Sequence, residues 1–344
     1  MRLMKRERPF ESGHRRLRIL TWHVHGSYLY YLSHCPHDFI LPVKAGRPEG
    51  YGGRSGTLAW PPNVSEIDAA DVRKASFDCI LFQSRRNYLQ DQHEILAPEQ
   101  RALPRIFLEH DPPREHPTDT RHIVDDPDML LVHVTHFNDL MWDSNRTPTA
   151  VVDHGVQVPA HLGYDGSLPR GIVIVNGLPV RGRRLGLDII ERVRRKVPLD
   201  IVGMQSELVG GLGEVPWNEL AQFEVRYRFF FNPIRYTSLG LAVCEAMMLG
   251  MPIVGLATTE MSATIDDGVN GFLGTDVELL IDRMHELLAD RVLASALGAR
   301  ARETARRRFN MQRFIADWQA VFEYATAGNL LHAADRASCG YDSF

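Results

Sequence analysis

No apolar run in this chain approaches the roughly 20 residues a helix needs to cross a bilayer; stretches such as Met129-Leu130-Leu131-Val132 have the length of buried strands. Cysteine is scarce. Cys35, Cys79, Cys244 and Cys339 are scattered without CxxC spacing, which excludes a thiolate metal cage or a disulfide framework and predicts reduced thiols. Neither HxxxH nor HExxH occurs, so His23, His25, His110, His116, His122, His133 and His136 are read as loop residues bordering a cleft, with no metal site expected. The absence of a GxSxG elbow removes the usual serine hydrolase reading. Internal repeats and low-complexity tracts are also missing. The opening MRLMKRERPF is basic but has no apolar segment after it; a secretory signal is not expected, and the cytoplasm is the expected compartment.

What is present is ordinary globular composition, 44% hydrophobic and 24% charged over 344 residues, enough for two domains. The net charge of -4 conceals a basic start, since residues 1–18 carry seven Arg or Lys against Glu7 and Glu11. This arm suits peripheral contact with the anionic inner face of a membrane, or it is simply solvated; with only Phe10 interleaved, no nucleic acid partner is expected.

Short apolar runs alternate with helical patterns and Gly/Pro punctuation, which predicts an α/β chain with parallel sheets. In the first half, residues 17–24, 79–82, 105–108 and 129–134 read as buried strands; in the second, residues 171–176, 199–203, 227–231 and 252–256 do. His25-Gly26-Ser27, Gln83-Ser84 and Glu109-His110-Asp111-Pro112 then fall at strand carboxyl ends, where open parallel sheets bind ligands. Residues 158–170 (VPAHLGYDGSLPR) read as the interdomain connection. The expected division is a basic arm at 1–16, an acceptor domain at 17–160, a donor domain at 161–310, a crossing helix at 311–325 and a tail at 326–344. Trp22, Tyr28, Tyr30, Tyr31, Tyr51 and Trp60 crowd the first domain's early segments, serving either core packing or sugar stacking.

The most informative stretch is 232–256, NPIRYTSLGLAVCEAMMLGMPIVGL. Thr237 or Ser238 reads as an N-cap, Gly250 as a left-handed C-cap, and Pro252 as a stop. The amides of Leu239, Gly240 and Leu241 would point outward unpaired, and Gly240 would let an anion approach without a Cβ in the way. Glu245 lies about two turns on from Ser238, within reach of a nucleotide ribose whose diphosphate sits at the tip. Arg181, Arg183 and Arg184 follow the 171–176 strand and offer positive charge to the same diphosphate.

LGLAVCEAMMLGMPIVG, with DDGVNGFL at 266–273 and VVDHGVQVP at 151–159, resembles the retaining, nucleotide-sugar-dependent glycosyltransferases of family 4, also called glycosyl transferases group 1. The resemblance is strong over about residues 171–325 and mostly topological over 17–158. It implies the GT-B fold: two Rossmann-like domains, an interdomain cleft and a final helix crossing back to the first domain. Donor binding without a metal or cofactor, and sugar transfer to a hydroxyl of a glycan, lipid-linked glycan or small molecule, follow from the same resemblance. Position by position, Glu245 matches the ribose-binding acid, Leu239 to Leu241 the phosphate turn, and Arg181 or Arg184 the cation offsetting leaving-group charge. His110 matches the histidine that approaches the donor sugar, and Gly26 the glycine turn where acceptor and phosphate meet. Thr237 stands where the family carries its first glutamate, the one that contacts the transferred sugar. That departure keeps open two alternatives, a nucleotide-sugar-binding scaffold that transfers poorly and a sugar-nucleotide epimerase of the same architecture.

Overall fold

The computed structural model describes residues 15–24, 26–56 and 58–327. Most of the basic arm, His25, Cys339 and nearly all of the expected tail lie outside the described residues. Two sheets form, both entirely parallel. The first contains β1 (Arg18–Thr21), β2 (Asp38–Val43), β3 (Val64–Asp68), β4 (Cys79–Phe82), β5 (Arg105–Glu109), β6 (Met129–His133) and β7 (Thr149–Val151) in the order β3-β2-β1-β4-β5-β6-β7. The second contains β8 (Leu168–Ile174), β9 (Leu199–Val202), β10 (Tyr227–Asn232), β11 (Ile253–Leu256) and β12 (Gly271–Gly274) in the order β12-β11-β10-β8-β9.

All the strands read from the sequence are present, to within a few residues at their ends. Central strands such as β4, β6 and β10 are buried at every position, which is why they appear in the sequence as mainly apolar runs, with His133, Arg228 and Asn232 the buried polar exceptions. The structure adds β2, β3, β7 and β12, which carry weaker signals. Pro42 interrupts β2, β3 holds Glu66 and Asp68 at a sheet edge, β7 has three residues, and β12 begins and ends in glycine. The interdomain connection is shorter than 158–170, because Leu168–Arg170 already belong to β8.

The strand order reverses at β1/β4 in the first sheet and at β8/β10 in the second, the places where a crevice opens beyond the strand ends. The Leu241–Leu249 helix follows β10 and is apolar nearly all round, since it is covered on more than one side. Gly250 ends it at φ 89°, and a Cβ on Gly298 of the Arg291–Arg308 helix would lie 2.0 Å from the Gly250 carbonyl oxygen, so these two helices meet backbone to backbone.

The last helix, Met311–Thr326, crosses back as the resemblance implies. Its Trp318 indole donates to Tyr28 Oη at 3.1 Å, Phe322 meets His37 and Phe39, and Phe314 packs where a Cβ on Gly155 would collide at 2.3 Å. One continuous apolar cluster therefore runs from Tyr28 and Leu29 through Phe314 and Trp318 to Leu239, Val243 and Met247. It joins the two domains beneath the cleft.

Candidate functional site at the facing crevices

The tip of the Leu241–Leu249 helix differs from the sequence expectation in one detail. Neither Thr237 nor Ser238 caps it; the N-cap is Gly240, extended at φ -71°, ψ 136°, without a side-chain hydrogen bond. The cause lies one residue upstream. Leu239 is buried in the interdomain core and its carbonyl oxygen is engaged by His154 Nε2 at 2.7 Å, which delays the helix start to Leu241. The amides at the tip are thus those of Leu241 and its neighbours rather than those starting at Leu239. No acidic residue lies in the first turn, and a Cβ on Gly240 would meet nothing within 4 Å. The tip is open, and the helix dipole favours an anion there. Ser238 is buried beneath the tip and Thr237 half-buried beside it.

Burial pushes the His154 pKa down to about 4, so the ring is neutral at pH 7. A neutral ring facing a carbonyl must carry its proton on Nε2, which leaves Nδ1 buried without a partner among the described residues. His154 belongs to the segment joining the domains, so it ties the tip's geometry to the hinge. The same hinge is braced by Arg308, which bonds Asp153 and Glu260, while Glu260 accepts from the Phe137 amide of the first domain at 2.9 Å.

The three arginines after β8 are not equivalent. Arg183 is bound to Asp188 at 2.6 Å, and Arg235 binds the same carboxylate. Arg181 and Arg184 have no ion pair among the described residues. Burial lowers the pKa of Arg184, and the positive charges of Arg114 and Arg181 lower it further, with Asp111 opposing. Asp111 is itself paired with Arg114 of the first domain. Three guanidiniums therefore lie near one another at the domain boundary against one carboxylate, an arrangement that an anion would relieve.

Glu245 is the fifth residue of the helix, about 6 Å along its axis from Leu241 at 1.5 Å per residue. Tyr31 of the first domain donates its hydroxyl hydrogen to Glu245 Oε1 at 2.7 Å. Burial raises the Glu245 pKa and the Tyr31 bond opposes that rise. Glu224, enclosed at the end of the Trp217–Glu224 helix, is raised well above its ordinary value by burial and then by the Glu245 charge.

On the first domain, His110 follows β5 and its Nε2 lies 3.3 Å from Gln83 Oε1. Gln83 spends its amide hydrogens on Thr21 Oγ1 and the Trp22 carbonyl, so its oxygen is fixed toward the imidazole. The Tyr28 ring meets His110 edge-on at 4.9 Å. Gly26 opens the Gly26–Leu32 helix, and a Cβ there would lie 2.9 Å from His23 Nε2.

Of the crowded aromatics, Trp22, Tyr28, Tyr31 and Tyr51 are core residues, whereas Tyr30 and Trp60 are partly exposed. The histidines disperse: His122 bonds Glu109 at 3.2 Å, and His133 is enclosed with its pKa pushed down to about 3. Sequence reasoning did not single out Tyr31 as a partner of Glu245, nor His154, Glu224 or the Arg308 brace. Only an acid seven residues past a candidate cap marked this region, and the partners come from distant segments.

Two facing Rossmann-like domains bridged by a terminal helix constitute the GT-B fold, and solved structures share it. Sucrose-phosphate synthase from Thermosynechococcus elongatus superposes with a TM-score of 0.69 at 15% identity, covering 91% of this chain and all of that one. HepE of Anabaena, solved in complex with UDP, gives 0.64 at 13% identity over 90% of this chain and all of that one. Residues 170–290 match the family model described as Glycosyl transferases group 1. Trehalose synthase of Pyrococcus horikoshii is 34% identical over 80 residues, 22% of this chain and 19% of that protein, so the match spans about a fifth of the relative. No helix among the described residues is long and apolar enough to cross a membrane.

Proposed function

We propose that this protein is a retaining glycosyltransferase that moves a sugar from a nucleoside diphosphate sugar to a hydroxyl of a glycan, lipid-linked glycan or small molecule. The carrying observation is the open helix tip at Gly240, with no acidic residue in its first turn, in the same domain as Arg181 and Arg184, which form no ion pair among the described residues. Backbone amides and the helix dipole would hold the diphosphate, and the two guanidiniums would stabilise the charge that grows on it as the sugar departs. This assembly supplies the electrostatic role without a metal. Glu245 would accept hydrogen bonds from the ribose hydroxyls once Tyr31 yields, and His110 would approach the donor sugar from the first domain. Closure of the cleft would exclude water and limit donor hydrolysis. The match of residues 170–290 to Glycosyl transferases group 1 supports this reading, as does the complex of the similarly folded HepE with UDP.

Calorimetry with UDP, ADP and GDP tests the donor site. At least one should bind, and Glu245→Ala should weaken it by about a hundredfold, roughly 2.7 kcal/mol; unchanged affinity would remove Glu245 from the site. Thr237, where the resemblance expects a carboxylate, supports a second reading, a scaffold that binds nucleotide sugar and transfers poorly. Acceptor-dependent release of nucleoside diphosphate favours the enzyme, and binding without release favours the scaffold.

A further inference from the structure

The connection from β2 to β3, residues 44–63, crosses between parallel strands without a helix among its described residues and is heavily constrained. Gly46, Arg47, Gly50, Gly53 and Gly56 all have positive φ, and Arg47, at φ 45°, is a conformation a non-glycine residue rarely takes. Short bridges pair Gly50 with His23 and Gly52 with Val43, and Tyr51 is buried beneath the loop with Lys44 Nζ 4.0 Å over its ring. The chain has folded this loop back onto the carboxyl end of β1 and pinned it there.

The pinning leaves one charge over. Glu66 receives both Arg47 guanidinium nitrogens, at 2.9 and 3.0 Å, and the Arg54 amide at 2.6 Å, so its oxygens are filled from the loop and Arg47 is neutralised. The Arg54 side chain is exposed and forms no hydrogen bond or ion pair of its own among the described residues. It lines a cavity of about 470 Å³ together with Ser55, Leu58, Trp60 and the Arg47–Glu66 pair. The Trp60 indole stands edge-on to His23 at 5.4 Å and to Tyr30 at 6.0 Å, and Tyr30 in turn meets Trp217 of the second domain at 5.1 Å. Leu58 comes within 3.9 Å of where a Gly26 Cβ would be. The cavity thus adjoins the Gly26 turn at the domain boundary.

Resting on the glycosyltransferase reading, we propose that this cavity is the acceptor subsite and that it selects a sugar bearing an anionic group, a carboxylate or a phosphate ester. Trp60 provides the flat apolar surface a sugar ring stacks on. Arg54 provides the forked donor that grips a carboxylate or phosphate through two parallel hydrogen bonds. A neutral acceptor would leave the Arg54 guanidinium, which acts on Glu66 only through its field and forms no hydrogen bond among the described residues, without a bonded partner.

Ligand-observed NMR titration with methyl glucuronide, glucose 1-phosphate and methyl glucoside at matched ionic strength tests this, with UDP calorimetry on the same samples. At least one anionic ligand should bind about tenfold tighter than the glucoside. Arg54→Gln should erase that preference, Trp60→Phe should weaken all three ligands several-fold, and both variants should keep wild-type UDP affinity. Preference for the glucuronide alone assigns the carboxylate, and preference for the phosphate alone assigns the ester. Equal binding of all three, no binding, or a preference that survives Arg54→Gln overturns the proposal. Absence of UDP binding beside an intact, Arg54-dependent preference would instead remove the donor reading on which it rests.

Discussion

The two crevices that face each other across the cleft are built from different materials. Beyond β1 and β4 the surface is made of side chains that satisfy one another: His110 on Gln83, Gln83 on Thr21, Tyr28 on Trp318. Beyond β8 and β10 it is made of backbone and charge without ion pairs among the described residues: a helix tip at Gly240 with no side-chain cap, and the guanidiniums of Arg181 and Arg184. A self-satisfied surface contributes to stability, whereas one with unpaired donors and cations contributes little to it and is available to a ligand. Changes to the packed side chains of the first side, such as Tyr28 and Trp318, should therefore register mainly as stability, with His110 and Arg54 the exceptions there, and changes on the second mainly as chemistry.

Trp318→Ala should have the largest effect. Emptying a fully buried indole at the domain junction costs about 3–5 kcal/mol, and the Tyr28 hydroxyl loses its donor as well. Urea denaturation should show it, and a loss below 1 kcal/mol would mean that the crossing helix is not what holds the first crevice together. The converse test is Arg181→Gln with Arg184→Gln. Turnover should fall by a hundredfold or more, roughly 3 kcal/mol of transition-state stabilisation, while stability stays within about 0.5 kcal/mol. Turnover near wild type would take both residues out of the mechanism.

The smallest effect concerns the hinge between the crevices, and it depends on pH. His154 has a folded pKa of about 4 and His133 of about 3, both below the unfolded value near 6.5. Between those values the unfolded chain binds more protons than the folded one. Stability should therefore be insensitive to these groups above pH 6.5 and decline as pH falls from 6.5 toward 4. His154→Gln removes the buried titrating ring, and its melting temperature should decline less steeply over that interval. Parallel curves for variant and wild type would show that His154 is protonated without penalty.

Much of the fold is legible before any coordinates. Residues 79–82, 129–134 and 227–231 are predominantly apolar, broken only at His133 and Arg228, because both faces of their strands are covered, and their punctuation places the loops at the strand ends. The edge strands β3 and β7 are less legible, since an edge needs little hydrophobicity and β7 is only three residues long. At the site, the helix with Gly240 at its tip and Gly250 at its end could be read from local chemistry, and its starting residue could not. Leu239 is held by His154, 85 residues earlier, and no rule of capping contains that contact.

The amino-acid order alone determined the alternation of strand and helix, the position of the Leu241–Leu249 helix and the cluster of arginines that follows β8. These follow from periodicity and from residue-level preferences acting over a few positions. Only the tertiary structure decided that Arg183 would be consumed by Asp188, that Tyr31 would cover Glu245 from 214 residues away, and that Arg54, beside Trp60, would have no hydrogen-bond or ion-pair partner among the described residues. Which charge is neutralised and which is left over depends on how distant side chains divide a limited set of partners, and that division exists only once the chain has closed.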